Sequence, residues 1–88
     1  MKITNVQIIP FRPKDGFLGI ASCEIDNSLY LGDIAIFSRP AGGIRLGFPI
    51  KKLANGQSVD VCKPLNADVE MIFEQAISEK FSQLLQKI

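Results

Sequence analysis

The chain has no histidine, and its two cysteines, Cys23 and Cys62, stand far apart. Structural zinc sites use closely spaced Cys and His ligands, so the absence of histidine and of any CxxC pair argues against a structural metal. A Cys–His nucleophile cannot be assembled within one chain. No Ser-based triad and no pair of acids at useful spacing is present either, so no enzyme and no cofactor is expected. Glycines 42, 43 and 47 are followed by a strand pattern and not by GKS or GKT at a helix start, which excludes a phosphate loop. No run approaches about 18 apolar residues, and Met1-Lys2-Ile3-Thr4-Asn5 lacks the apolar segment of a leader. The expectation is a soluble, cytoplasmic protein with reduced thiols and no membrane partner. Internal repeats, low-complexity tracts and domain linkers are also missing.

A further absence is more informative. No acidic residue lies between Asp33 and Asp60. The overall charge of +1 conceals three unlike segments. Residues 1–33 set Lys2, Arg12 and Lys14 against Asp15, Glu24, Asp26 and Asp33, a net of −1. Residues 34–63 set Arg39, Arg45, Lys51, Lys52 and Lys63 against Asp60, a net of +4. Residues 64–88 set Lys80 and Lys87 against Asp68, Glu70, Glu74 and Glu79, a net of −2. A polyanion would therefore meet the middle of the chain. Arg39, Arg45, Lys51 and Lys52 are the candidate phosphate contacts. Such contacts position a nucleic acid without reading its bases. Phe37 and Phe48 are able to stack on unpaired bases, although their alternation suits core packing better.

What is present is apolar patterning, at 47% of 88 residues. That length fits one domain, residues 1–88, with a small core. A small chain with surplus apolar side chains commonly covers them by pairing with a second copy, so a homodimer is expected. Period-two alternation predicts strands over about residues 2–9, 17–25, 29–38, 44–48 and 58–63. Pro10 and Pro13 bracket a predicted loop. Asp15-Gly16, Asp26-Asn27-Ser28, Gly42-Gly43 and Asn55-Gly56 mark turns. In the second strand Phe17, Ala21, Cys23 and Ile25 are assigned to one face. The third strand is apolar on both faces apart from Asp33, so it should be central or lie against another subunit. Asp33 and Asp60 are expected to be structural carboxylates, bonded to backbone N–H groups or to a basic residue. Gly47, mid-strand, marks the close approach of another backbone or a bend. Pro49 ends the fourth strand, and Lys51 and Lys52 follow where the chain leaves the sheet.

From Ala67 the period changes. Val69, Ile72, Phe73, Ala76, Ile77, Phe81, Leu84, Leu85 and Ile88 recur at spacings of three and four, predicting an amphipathic helix over about 67–86. Asn66 is typed as its N-cap, Asp68 and Glu70 suit the positive end of its dipole, and Lys87 suits the negative end. The predicted fold is α+β: a five-stranded antiparallel meander followed by one C-terminal helix, paired as a homodimer.

In this order and spacing the chain resembles the SpoVG family, the stage V sporulation or septation protein group. The resemblance is carried by Met1-Lys2-Ile3-Thr4-Asn5-Val6, by Asp15-Gly16, and by Ile20-Ala21-Ser22 with Asp26. It continues through Asp33-Ile34, the run from Gly43 to Phe48-Pro49-Ile50-Lys51-Lys52, Ala54-Asn55-Gly56-Gln57, and Asp60 with Pro64-Leu65-Asn66. Ile50 stands where the family usually has serine, and the exposed helix residues Glu70, Glu74 and Glu79 make that face more acidic than in many relatives. The resemblance implies a dimeric sheet-plus-helix protein that binds DNA or RNA. It also implies a regulator linked to sporulation, septation and gene control, with Lys51 and Lys52 as basic binding positions beside Arg45. A protein–protein interaction module that acts without touching nucleic acid is the alternative.

Overall fold

The computed structural model describes residues 1–86. Lys87 and Ile88, assigned above to the helix end and its apolar stripe, lie outside the described residues. Six strands and one helix follow in order: β1 (Ile3–Lys14), β2 (Phe17–Ile25), β3 (Leu29–Ser38), β4 (Ile44–Gly47), β5 (Ile50–Lys52), β6 (Ser58–Asp60) and α1 (Ala67–Gln86). β1 to β4 form one antiparallel sheet in chain order, and β5 pairs only with β6 in a separate two-stranded sheet. The architecture is α+β, but the single five-stranded meander is corrected to a sheet of four plus a hairpin. Pro49 is the cause. It has no N–H to continue the ladder, Phe48 turns inward, and the chain restarts as β5.

The predicted turns form because their residues tolerate positive φ. Asp15 and Gly16 stand at φ 54° and 83°, and Asp26 and Asn27 both at 53°, which is the signature of the tight turns that match strand twist. β1 departs from its expected end at residue 9. It runs through Pro10 and Pro13 to Lys14 because it is an edge strand, where a missing N–H breaks only one side of the ladder.

Four register shifts set which way side chains face, one of them in β1 between Pro10 and Lys14, where four steps oppose two in β2. Thr4 pairs with Glu24 and Gln7 with Ser22, so β1 carries an extra residue, and Asn5 takes it up at φ 50°. Phe17 pairs with Phe37 but Gly19 with Ile36, so Leu18 is extra in β2. Ala21 pairs with Ile34 but Cys23 with Leu31, so β3 is the longer strand there, and Asp33 absorbs the difference at φ 59°. Asp33 is exposed. Its expected role as a bonded interior carboxylate is therefore corrected: an aspartate suits this site because it tolerates the left-handed backbone of a bulge. Asp60 does meet a basic residue, Lys63, at 3.1 Å on the surface.

The core lies between the sheet and the helix. Ala21, Cys23, Leu31, Ile34, Ile36 and Leu46 from the sheet meet Phe73 and Ile77 from α1. Phe48 joins them edge-on to Phe73, with ring centres 5.3 Å apart. β3 is interior to the sheet, as expected. Burial, and secondarily the neighbouring Cys62, pushes the Cys23 thiol up from its ordinary range and keeps it protonated at neutral pH. Cys62 is half-buried against the core, in a bend beyond β6 and not in a strand.

The helix starts where the sequence places it. The Val69 N–H donates to Asn66 Oδ1 at 3.0 Å, which satisfies one of the free first-turn donors. Asn66→Ala is expected to cost about 1 kcal/mol, read as a lowered urea midpoint with an unchanged slope.

Candidate nucleic-acid interface

The β5–β6 hairpin is built by Pro49 on one side and Asn55-Gly56 on the other. The Gly56 N–H donates to the Leu53 carbonyl at 3.0 Å, and the Leu53 N–H to the Gln57 carbonyl at 2.8 Å. Gly56 supplies φ 89° at no steric cost. Ile50 pairs with Asp60, Lys51 with Val59 and Lys52 with Ser58, and all six residues are exposed. Lys51 and Lys52 thus belong to a strand and do not follow the end of one. Successive strand residues point to opposite faces, so these two lysines flank the hairpin instead of sharing one surface.

The other two candidates lie elsewhere. Arg39 is tied to the helix side of the sheet. Its Nε donates to the Ile44 carbonyl at 2.8 Å, and its Nη2 reaches both oxygens of Glu74 at 3.2 and 3.3 Å. A phosphate there would have to displace Glu74. Arg45 sits on the opposite face of the sheet. It is exposed, and its guanidinium carbon lies 4.5 Å from the centre of the Phe37 ring, a cation–π arrangement. The four predicted contacts therefore do not form one strip. Arg45 and the two hairpin lysines are adjacent along the chain, and Arg39 is held apart.

A feature that the sequence reading missed lies beside Arg45. Cross-strand partners share a face, so Phe17, Phe37 and Arg45 all project from the side of the sheet away from α1. Phe11 joins them. Its ring centre is 5.5 Å from that of Phe17, and Phe17 is 5.4 Å from Phe37. Together with Arg12, Lys14 and Asp15 these rings line an open depression of about 440 Å³. Gly47 belongs to the same face: a Cβ there would come 3.1 Å from the Phe37 ring, so the glycine makes room for a side chain of its own chain, not for another backbone. The available signal was Phe11-Arg12-Pro13-Lys14-Asp15-Gly16-Phe17, two rings with basic residues around a tight turn. Of the two phenylalanines considered for stacking, Phe48 is in the core and Phe37 is on the open face.

Among the described residues no group of three or more Cys, Asp or Glu side chains gathers as metal ligands would. No described helix is long and apolar enough to cross a membrane.

The family model for SpoVG matches residues 1–83. The chain belongs to the SpoVG family. Relatives named as septation protein SpoVG match across nearly the whole chain. The one from Aster yellows witches'-broom phytoplasma (strain AYWB) is 28% identical over 85 residues, covering 97% of this chain and 85% of the relative. That from Bdellovibrio bacteriovorus is 27% identical over 88 residues, covering 100% and 80%. That from Clostridioides difficile is 26% identical over 85 residues, covering 97% and 91%. The SpoVG match thus takes in the four-stranded sheet, the hairpin and most of the helix.

Proposed function

We propose that this SpoVG-family chain is a cytoplasmic, homodimeric, non-catalytic regulator that binds DNA or RNA through Arg45, Lys51 and Lys52. The observation that carries this is the β5–β6 hairpin: every residue of its two strands is exposed, a lysine stands on each face, and its one acid, Asp60, is paired with Lys63. A narrow arm charged on both faces suits a polyanion whose phosphates approach from two sides. Arg45 adds a further charge where β4 leads into the arm. The relatives are named as septation proteins, which supports septation as the process served.

The test is a salt series. If Arg45, Lys51 and Lys52 of two subunits neutralise six phosphates, log K falls with log salt at a slope of about −5 on duplex. Lys51→Ala/Lys52→Ala should bring the duplex slope to about −2. An unchanged slope refutes the assignment, and sedimentation of the unbound protein tests the dimer.

Exposed apolar side chains on and after the arm favour a second reading, a protein-interaction module: Ile50 is 58%, Val61 63% and Leu65 85% exposed. A protein partner retained after nuclease treatment, with no shift of any DNA or RNA probe, would decide for it.

A further inference from the structure

We propose that the open face of the sheet is a stacking platform for unpaired bases, with Phe11 and Phe17 taking bases and Arg12, Lys14 and Arg45 taking the strand's phosphates. This rests on the nucleic-acid reading above and narrows it to single-stranded DNA or RNA segments.

Three observations converge on this face. The rings form a row: Phe11, Phe17 and Phe37 follow one another at 5.5 and 5.4 Å, tilted by 33° and 60°. That step exceeds the roughly 3.4 Å between neighbours in a duplex strand and suits bases splayed apart. The end of the row is open, since Phe11 remains 45% exposed although it packs on Phe17. The charge is arranged around the row. Arg45 lies over Phe37 at one end, and Arg12 and Lys14 stand at the other, where Asp15 is the one acid among the lining residues. None of these three cations is in a salt bridge with a described residue. Aromatic rings flanked by unpaired cations match what a flexible strand offers, flat bases and phosphates in alternation.

Charge also distinguishes this occupant from a second copy of the chain. A two-fold interface here would press Arg12, Lys14 and Arg45 of one protomer against the same three residues of the other. One aspartate per copy does not balance them. A nucleic-acid strand supplies the opposite charge at every nucleotide. A duplex is a poor fit, because its bases are already stacked on one another and cannot splay out onto the rings.

The experiment compares a labelled oligothymidylate of about 12 nucleotides with a duplex of the same length, a size within the reach of one such platform. Phe11→Leu keeps an apolar side chain but removes the ring. It should lower single-strand affinity by roughly 5- to 150-fold and leave duplex affinity unchanged. The chain has no tryptophan, so Phe11→Trp supplies a clean signal. It should keep single-strand affinity, and its fluorescence should be quenched by the oligothymidylate but not by the duplex. This second variant reads the site even if Phe11→Leu folds poorly.

Absence of quenching, or equal losses on both probes, overturns the platform. If Lys51→Ala/Lys52→Ala still flattens the salt slope in that case, the wider nucleic-acid reading stands without it. If the unsubstituted protein binds neither probe, both fall. A shift from dimer to monomer in Phe11→Leu would assign the face to a second copy and overturn the proposal.

Discussion

Ile77→Ala is expected to cost about 2–5 kcal/mol and to loosen the helix from the sheet. Ile77 is fully buried, in the same core cluster as Phe73 and the sheet residues Ile34, Ile36 and Leu46. Removing its outer carbons forfeits their transfer out of water and leaves a cavity that the surrounding side chains fill only in part. The loss is large against the total. For a chain of this length, total stability is about 4–13 kcal/mol. The helix cannot compensate alone, since an isolated helix of this size is marginal in water and depends on its packed face. Ile72 provides the control. It lies on the same helix but is 40% exposed, so Ile72→Ala should change stability far less. Urea unfolding followed by circular dichroism separates the two: a large drop in midpoint for Ile77→Ala, a small one for Ile72→Ala. Equal drops would mean that the helix packs on a different stripe.

Features governed by local chemistry were legible in the sequence. The Asp15-Gly16, Asp26-Asn27 and Asn55-Gly56 turns, the Asn66 cap and the helix over 67–86 each depend on residues within a few positions of one another. The antiparallel order of β1 to β4 followed from those short turns. The bulges were not legible. A bulge leaves composition untouched but reverses the face of every residue beyond it. Period-two counting put Phe17 with Ala21 and Cys23. The extra residue Leu18 turns Phe17 to the other side, against Phe37. In β3 the bulge at Asp33 makes Leu31, Ile34 and Ile36 the buried set. Pro10 and Pro13 suggest a loop because a missing N–H bars them from interior strands, but β1 is an edge, and that position is not legible from the prolines.

The candidate site divides in the same way. Charge is additive along a sequence, so the acid-free stretch and its lysines were visible. Facing is not additive. Pro49 restarts the strand and sets Lys51 and Lys52 on opposite sides of a hairpin, while Arg39 is taken up by Glu74 from a distant helix. The aromatic row needed three strands in the right register before its members met, and no count along the chain brings Phe11, Phe17 and Phe37 together.

Gly19→Ala is expected to reach both the fold and the open face, because Gly19 holds the end of β1 in place. Gly19 is buried opposite Pro10. A Cβ there would stand 2.5 Å from the Ile9 carbonyl oxygen and 3.1 Å from the Pro10 Cα. Both obstacles are backbone, so no side chain can swing aside, and β1 itself must move outward. Overpacking of this kind costs about 1–3 kcal/mol. Gly47 differs in kind, since its nearest neighbour is the ring of Phe37, which can tilt. The consequence of Gly19→Ala reaches further than stability. Phe11 follows Pro10 directly, so an outward shift of β1 draws its ring away from Phe17, now 5.5 Å distant. The variant should therefore unfold at lower urea and, in conditions where it remains folded, bind the oligothymidylate more weakly while keeping the duplex salt slope set by Arg45, Lys51 and Lys52. A stability loss with single-strand affinity intact would show that β1 yields elsewhere, at the bulge around Asn5, and that the Phe11–Phe17 contact survives the displacement.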